Sequence, residues 1–285
     1  MRIFLTGATG FIGSAIIPEL LRSGHQVLGL TRSAAGVQKL IDAGVEPHRG
    51  DLMDLDSLRS GAAEADGVIH TAFDHDDFSN FVANCEKDRC VIETLGSKLK
   101  GLDRPLLITS GTGMGSPTGG GLATEDVFNV EHPNPRIASE MAGAALLDAG
   151  VNVSVVRLPQ VHDTVKQGLI TYLVDVARRT GVSAYVGDGA NRWPAAPVLD
   201  VARLYALAYD KGEAGARYHA VAEEGVAARD MAEAIGRGLK VPAVALSLDA
   251  AAEHFGWLSA FVASICRRRA RRRGTDLVGS RLDRD

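Results

Sequence analysis

Gly7, Gly10 and Gly13 stand at Gly-x-x-Gly-x-x-Gly spacing, directly after the short apolar run 3–6 and at the head of a segment with helical periodicity. In that position Gly7 permits a tight turn, Gly10 lets backbone amides approach a pyrophosphate, and Gly13 allows a helix to pack closely on a sheet. The first-turn amides of the helix favour phosphate charge. A dinucleotide-binding loop is expected over Gly7, Thr9, Gly10, Phe11, Ile12 and Gly13, with a plain glycine-rich turn as the alternative. The end of the second strand-like run, Gly29-Leu30-Thr31-Arg32-Ser33, decides which dinucleotide. NAD sites place a carboxylate there for the ribose hydroxyls, and this segment has none; the charged fork of Arg32 can pair with the extra phosphate of NADP. The expected cofactor is NADP, with NAD as the alternative and Arg32 then a solvated surface charge.

Other chemistry-bearing residues carry less. Asp74-His75-Asp76-Asp77 gathers carboxylates and an imidazole, but adjacent residues point in different directions and rarely converge on one ion. An acidic entry to the following helix is the better reading, and no metal is expected. Tyr172, His162 and Tyr185 fall in segments that could line a substrate pocket, each more readily structural. Cys85, Cys90 and Cys266 are the only cysteines; they lack the spacing of a zinc site and cannot build a disulfide scaffold.

Alternating elements must position these groups. Apolar strand-like runs at 3–6, 26–31, 45–48, 67–72, 105–110 and 151–157 alternate with helical patterns at 14–22, 34–43, 78–100 and 135–149. Continuously apolar strands between helices indicate a parallel sheet covered on both faces. The fold class expected is α/β, a doubly wound Rossmann-type parallel sheet. Past Arg157 the pattern loosens into helices at 166–180, 199–211 and 228–239, a strand-like run at 183–186, and the turn Gly187-Asp188-Gly189. The division expected is a nucleotide-binding domain over 1–160, a small C-terminal substrate lobe over 161–264 interleaved with the main sheet, and an Arg-rich tail over 265–285.

Thr6-Gly7-Ala8-Thr9-Gly10-Phe11-Ile12-Gly13 resembles the opening of the extended short-chain dehydrogenase/reductase superfamily, the NAD-dependent epimerase/dehydratase-like proteins. The resemblance runs from residue 1 to about 240 and implies further site residues. Asp51 and Leu52 follow the third strand, where the family's Asp contacts adenine. His70, Thr71 and Ala72 end the fourth strand beneath the cofactor. Thr109, Ser110 and Gly111 match the end of the fifth strand, and Arg157-Leu158-Pro159 matches the loop beside the nicotinamide.

The resemblance breaks at the chemistry. Family enzymes place a Tyr four residues before a Lys on the helix after the Ser-bearing strand, and that Tyr moves the substrate proton during hydride transfer. Here Arg136 stands at the Tyr position and Glu140 at the Lys position. A guanidinium is always protonated and a carboxylate repels a phenolate, so the usual mechanism does not carry over. The catalytic residues expected to survive are Ser110 and Thr112, whose hydroxyls could polarise a carbonyl. Arg136 and Glu140, four apart on a helix, are expected to form a modest salt bridge with each other.

The whole indicates an atypical extended member, an NAD(P)-dependent oxidoreductase transferring hydride on a small alcohol or carbonyl. The alternatives are a non-catalytic NADP-binding redox sensor and an epimerase or dehydratase. The helices at 78–100 and after Pro135 correspond to a pair that often forms the superfamily's dimer interface, so a homodimer is expected by analogy. The chain has 285 residues, 46% hydrophobic and 23% charged, with a net charge of −4; this balance argues against whole-surface nucleic-acid binding. An N-terminus without a secretory pattern and the lack of a long apolar run point to a cytoplasmic protein with no membrane partner. The tail, with arginines at 267–269 and 271–273, replaces the Leu-Gly-Trp-x-Pro motif with which family members often end. One choice of codons for 276–285, read from the third base, yields Leu-Gly-Trp-Gln-Pro, so a shifted reading frame from about Ile265 is expected.

Overall fold

The computed structural model describes residues 1–75 and 80–264; the tail and its suggested frameshift lie outside them. The first half alternates β1 (Arg2–Thr6), α1 (Phe11–Arg22), β2 (Gln26–Thr31), α2 (Ala34–Asp42), β3 (Glu46–Arg49), α3 (Leu55–Ala63) and β4 (Gly67–His70). It continues with α4 (Phe81–Ser97), β5 (Leu106–Gly111), α5 (Ile137–Asp148) and β6 (Val153–Leu158). Helix α3 was not foreseen: its buried stripe is only Leu58, Gly61 and Ala62, too sparse to register as a period.

Seven parallel strands form the central sheet in the order β10-β6-β5-β4-β1-β2-β3, in which β10 is Arg217–His219. Ile3 lies between Val27 of β2 and Gly67 of β4. The chain therefore steps outward from β1 in both directions, and the crevice at the carboxyl ends of β1 and β4 is where such sheets bind ligands. One face carries α1, α2 and the later α7 (Val198–Lys211), with Ile16, Leu20, Leu40, Val201 and Tyr205 in its core. The other carries α3, α4 and α5, with Leu58, Val91, Leu95 and Ala142. Burying each such Leu or Ile stabilises the fold by about 1.5–3 kcal/mol. Gly61 is required where α3 crosses β1, since a Cβ there would come within 2.3 Å of the Phe4 ring.

The remaining elements are β7 (Gln160–His162), α6 (Leu169–Thr180), β8 (Ser183–Val186), β9 (Arg192–Pro197), β11 (Glu223–Ala227), α8 (Ala228–Leu239), β12 (Ala243–Leu246), α9 (Leu248–Phe255) and α10 (Ser259–Ser264). Strands β11, β9 and β7 form one small sheet, and β12 pairs with β8 in another. Trp193, Val176, Phe255 and Leu258 centre a separate small core. Residues of α7 and β10 return to the main layers, so the second half is threaded through the first. Strands β9 to β12 escaped the sequence reading because Pro194, Pro197 and Gly225 interrupt them or because they are three or four residues long.

Candidate functional site

Strand β1 ends at Thr6 and the chain turns through Gly7, whose φ of +71° suits glycine. The Gly10 amide donates to Gly7 O at 2.8 Å. A Cβ on Gly13 would lie 2.1 Å from Gly7 O, so the third glycine lets α1 pass over the turn. Gly10 caps α1 in an extended conformation with no side chain accepting from the first-turn amides, which leaves that end suited to an external phosphate. Lys39 reaches back from α2 to Thr9 O at 2.9 Å and fixes the loop.

This turn forms one wall of a cleft of about 780 Å³ along the carboxyl ends of the central strands. Gly7, Thr9, Gly10, Phe11, Ile12 and Gly13 line it, joined by Arg32 beyond β2 and by Asp51 and Leu52 beyond β3. Thr71 and Ala72 follow β4, Thr109 and Ser110 end β5, and Pro159 follows β6. Two expected residues stand elsewhere. His70 is buried behind the wall, its ring between Thr6 and Asp88, and Thr112 is buried in a short 3-10 turn, Thr112–Gly115, off the cleft. Tyr172 lines the cleft; Tyr185 belongs to the small core around Trp193, and His162 sits on β7. Sequence reasoning missed Phe73, Phe81 and Phe261, which also line it.

The expected salt bridge between Arg136 and Glu140 does not form; each has another partner. Arg136, at the start of α5, donates from Nη1 to Asp88 Oδ2 and to Ser139 Oγ, and from Nη2 to Thr109 O at 3.0 Å. Asp88 also accepts from Ser139 Oγ at 2.6 Å, and its Oδ1 lies 3.0 Å from His70 Nε2. Burial opposes charge on Asp88, but the Arg136 guanidinium and the contacts of His70 and Ser139 hold its carboxyl well below the usual range. Arg136 faces the cleft with its Nε–H and one Nη2–H unused by these bonds, its guanidinium 4.2 Å over the Phe73 ring.

Glu140 lies one turn further along α5, fully buried against fully buried Arg157. Arg157 Nε and Nη2 donate to its two oxygens at 2.8 Å each, and Arg217 Nε adds a bond at 3.2 Å. Burial opposes its charge, yet the hydrogen bonds and charge of Arg157 outweigh this and lower its carboxyl below the ordinary range, with the nearby Ser110 hydroxyl contributing. That Ser110 hydroxyl makes no well-formed hydrogen bond, although it is buried at the cleft wall. Arg157 also donates to Thr124 O at 3.0 Å and Val127 O at 2.8 Å, pinning the loop between β5 and α5.

Asp74 pairs with Lys87 and His75 packs on Phe73 at 5.0 Å. Among the described residues no group of three or more His, Cys, Asp or Glu could hold a metal ion; Asp76 and Asp77 lie outside those residues.

A model of the NAD dependent epimerase/dehydratase family matches residues 3–222. The chain belongs to that family. An uncharacterized protein of Schizosaccharomyces pombe is 46% identical over 263 residues, covering 92% of this chain and 88% of its own length. The 2-alkyl-3-oxoalkanoate reductase of Stenotrophomonas maltophilia is 26% identical over 226 residues, 76% of this chain and 67% of that protein. Among solved structures, the dTDP-glucose 4,6-dehydratase of Streptomyces venezuelae, crystallised with NAD, aligns with a TM-score of 0.69 at 22% identity over 87% of this chain and 84% of its own. Family membership brings a nicotinamide dinucleotide cofactor. The residues present fit one, because the uncapped amides of α1 and the three glycines leave the approach a pyrophosphate needs. No helix among the described residues is long and apolar enough to cross a membrane.

Proposed function

We propose that the protein is an NADP-preferring oxidoreductase that interconverts a small carbonyl compound and its alcohol without a Tyr–Lys pair. The observation that carries this reading is the meeting, in one cleft, of the glycine turn with the Ser110 hydroxyl and the Arg136 guanidinium. Arg32, at the cleft's β2 end, would take the 2′-phosphate; the glycine turn would hold the pyrophosphate, and Asp51 with Leu52 would border the adenine. When bound, the cofactor supplies or accepts the hydride. The Ser110 hydroxyl donates to the substrate oxygen, for which it has no competing well-formed bond. Arg136 offers fixed positive charge and free N–H donors to an oxygen that becomes negative, worth more in a cleft than in water. A guanidinium keeps its proton, so the proton gained or lost by that oxygen is exchanged with water.

A second reading, a non-catalytic NADP-binding sensor, draws on the same departure. Both residues at the family's Tyr and Lys positions are tied into ion pairs. The reading also carries a cytoplasmic homodimer paired through α4 and α5, whose Val82 and Met141 are exposed; sedimentation tests the dimer.

Calorimetric titration with NADPH and NADH, followed by NADPH oxidation over a carbonyl panel, separates these readings. Preference for NADPH that falls about tenfold or more in Arg32→Ala, with turnover that collapses in Ser110→Ala, supports the enzyme. Tight binding without turnover on any carbonyl supports the sensor. Absence of binding overturns both.

A further inference from the structure

The chain between β7 and α6 returns to the glycine turn. Residues 163–168 close on themselves: the Asp163 amide donates to Lys166 O at 2.7 Å, and Asp163 Oδ1 accepts from the amides of Val165 at 2.6 Å and Lys166 at 2.5 Å. Gln160 Oε1 then accepts from Leu169, the first amide of α6, at 3.1 Å. Gly168 has a φ of +55°, and a Cβ there would come within 2.9 Å of that same oxygen, so glycine lets the chain double back into the helix. Backbone bonds and one side-chain acceptor thus fix this turn in place.

Its side chain nearest the glycine turn is that of Lys166, whose Nζ stands 5.7 Å from the centroid of the Phe11 ring. Phe11 is the first residue of α1 and lines the cleft, as Gln160, Val161, Gly168 and Leu169 do on the side of the turn. The start of α1 is the positive end of its dipole, and no acidic residue lies in its first turn. Lys166 adds a second positive charge beside it. Among the described residues the Lys166 ammonium makes no ion pair or hydrogen bond, its printed contact being the ring. Asp163 feels its charge, but spends Oδ1 on the two amides of its own turn. A cation–π contact near the outer limit of such distances is weak, and a cation beside a helix N-terminus is disfavoured. An anion seated there reverses that penalty and gains from both charges.

We propose that Lys166 is a cofactor-binding residue, its ammonium pairing with the pyrophosphate that the first-turn amides of α1 also hold. This rests on the dinucleotide-binding reading above and adds to it a charge from beyond β7. Arg32 bears on the 2′-phosphate, which distinguishes NADP from NAD. Lys166 bears on a group that the two share, so it sets affinity without setting preference.

The test is calorimetric titration of the full chain with NADPH, NADH and ADP-ribose at low and high salt. ADP-ribose carries the pyrophosphate but neither the nicotinamide nor the 2′-phosphate. In Lys166→Met, which keeps the apolar stem of this exposed residue, all three should bind about tenfold more weakly and with a shallower salt dependence, while Lys166→Arg keeps most of the affinity. Labelling gives a second readout: acetylation of Lys166 by an amine-reactive ester, followed by peptide mass mapping, should slow under saturating ADP-ribose while that of exposed Lys100 does not. Unchanged affinity in Lys166→Met, a loss confined to NADPH, an equal loss in Lys166→Arg, or labelling of Lys166 indifferent to ADP-ribose overturns the assignment and leaves the dinucleotide site standing. If the unaltered chain binds none of the three, the dinucleotide site itself fails and the assignment falls with it.

Discussion

Replacing Glu140 by Gln tests whether the family's Lys position has become a structural staple. The carboxylate accepts two bonds from Arg157 at 2.8 Å and one from Arg217 at 3.2 Å, with both Glu140 and Arg157 fully buried. Gln keeps the shape but removes the charge, and turns an amide N–H toward guanidinium donors. Arg157 cannot shed its proton, and its other partners are the neutral carbonyls of Thr124 and Val127 and the imidazole of His219. Breaking a buried pair on one side costs about 3–5 kcal/mol. For a chain of this size that lowers Tm by roughly 10 °C. Urea denaturation should show a fall in midpoint at constant slope. Combining it with Arg157→Met, which removes the stranded charge, should recover part of the loss. Glu140→Lys, which restores the family's ammonium, sets a like charge beside Arg157 and Arg217 and should be less stable than Glu140→Gln. A loss below about 1 kcal/mol in Glu140→Gln, or a stable and more active Glu140→Lys, would refute the staple and return the position to catalysis.

Burial and the neighbouring charge of Arg157 push His219 down to about 4 from 6.5. The unfolded chain therefore binds this proton first, and stability should fall as pH drops from 6.5 to 4, by about 3 kcal/mol in all, and be unaffected by this group above 7. A flatter pH profile of urea midpoints in His219→Gln checks this, and identical profiles count against it. Asp88 and Glu140, both held low, act in the same direction below the ordinary carboxylate range, where their contribution is lost. Gly13→Ala places a methyl 2.1 Å from Gly7 O, so it should cost about 1–3 kcal/mol and remove dinucleotide binding by calorimetry. Cys85, whose thiol burial pushes up to about 11, should be alkylated by iodoacetamide far more slowly at pH 8 than a free thiol. Peptide mapping that finds rapid labelling at Cys85 would contradict its buried placement.

The nucleotide-binding half was legible because its signals are local. Ile3 to Thr6 is a continuous apolar run, four of its five strand residues are buried, and the glycines sit where the chain must turn. The expected range 26–31 for the second strand and 228–239 for α8 match the structure. Strand β10 was hidden because three residues carry no period, and its place beside β6 comes from long-range packing. Placing Ser110 in the cleft and His70 behind it depended on which way each strand end faces, which alternates residue by residue.

The salt-bridge expectation failed for a reason the sequence does contain. Asp88 lies on the same stripe of α4 as Asn84, Cys85, Val91 and Ile92, all buried, and Arg157 interrupts the β-branched run of β6. Charges in such settings are tolerated only when paired, so each required a partner of opposite sign. Arg136 and Glu140, on the helix packed against both elements, were the available complements. Spacing alone suggested that they neutralise each other; burial of Asp88 and Arg157 assigns them elsewhere. Arg136 also sits at a helix N-terminus, where the macrodipole disfavours a cation, and Asp88 offsets that cost. The two substitutions thus form two linked exchanges: Glu140 closes the core beneath the cleft, and Arg136, anchored from behind, keeps a positive charge at its surface. At the family's Tyr position the chain thus presents a guanidinium, which carries fixed positive charge and cannot titrate as a phenol does.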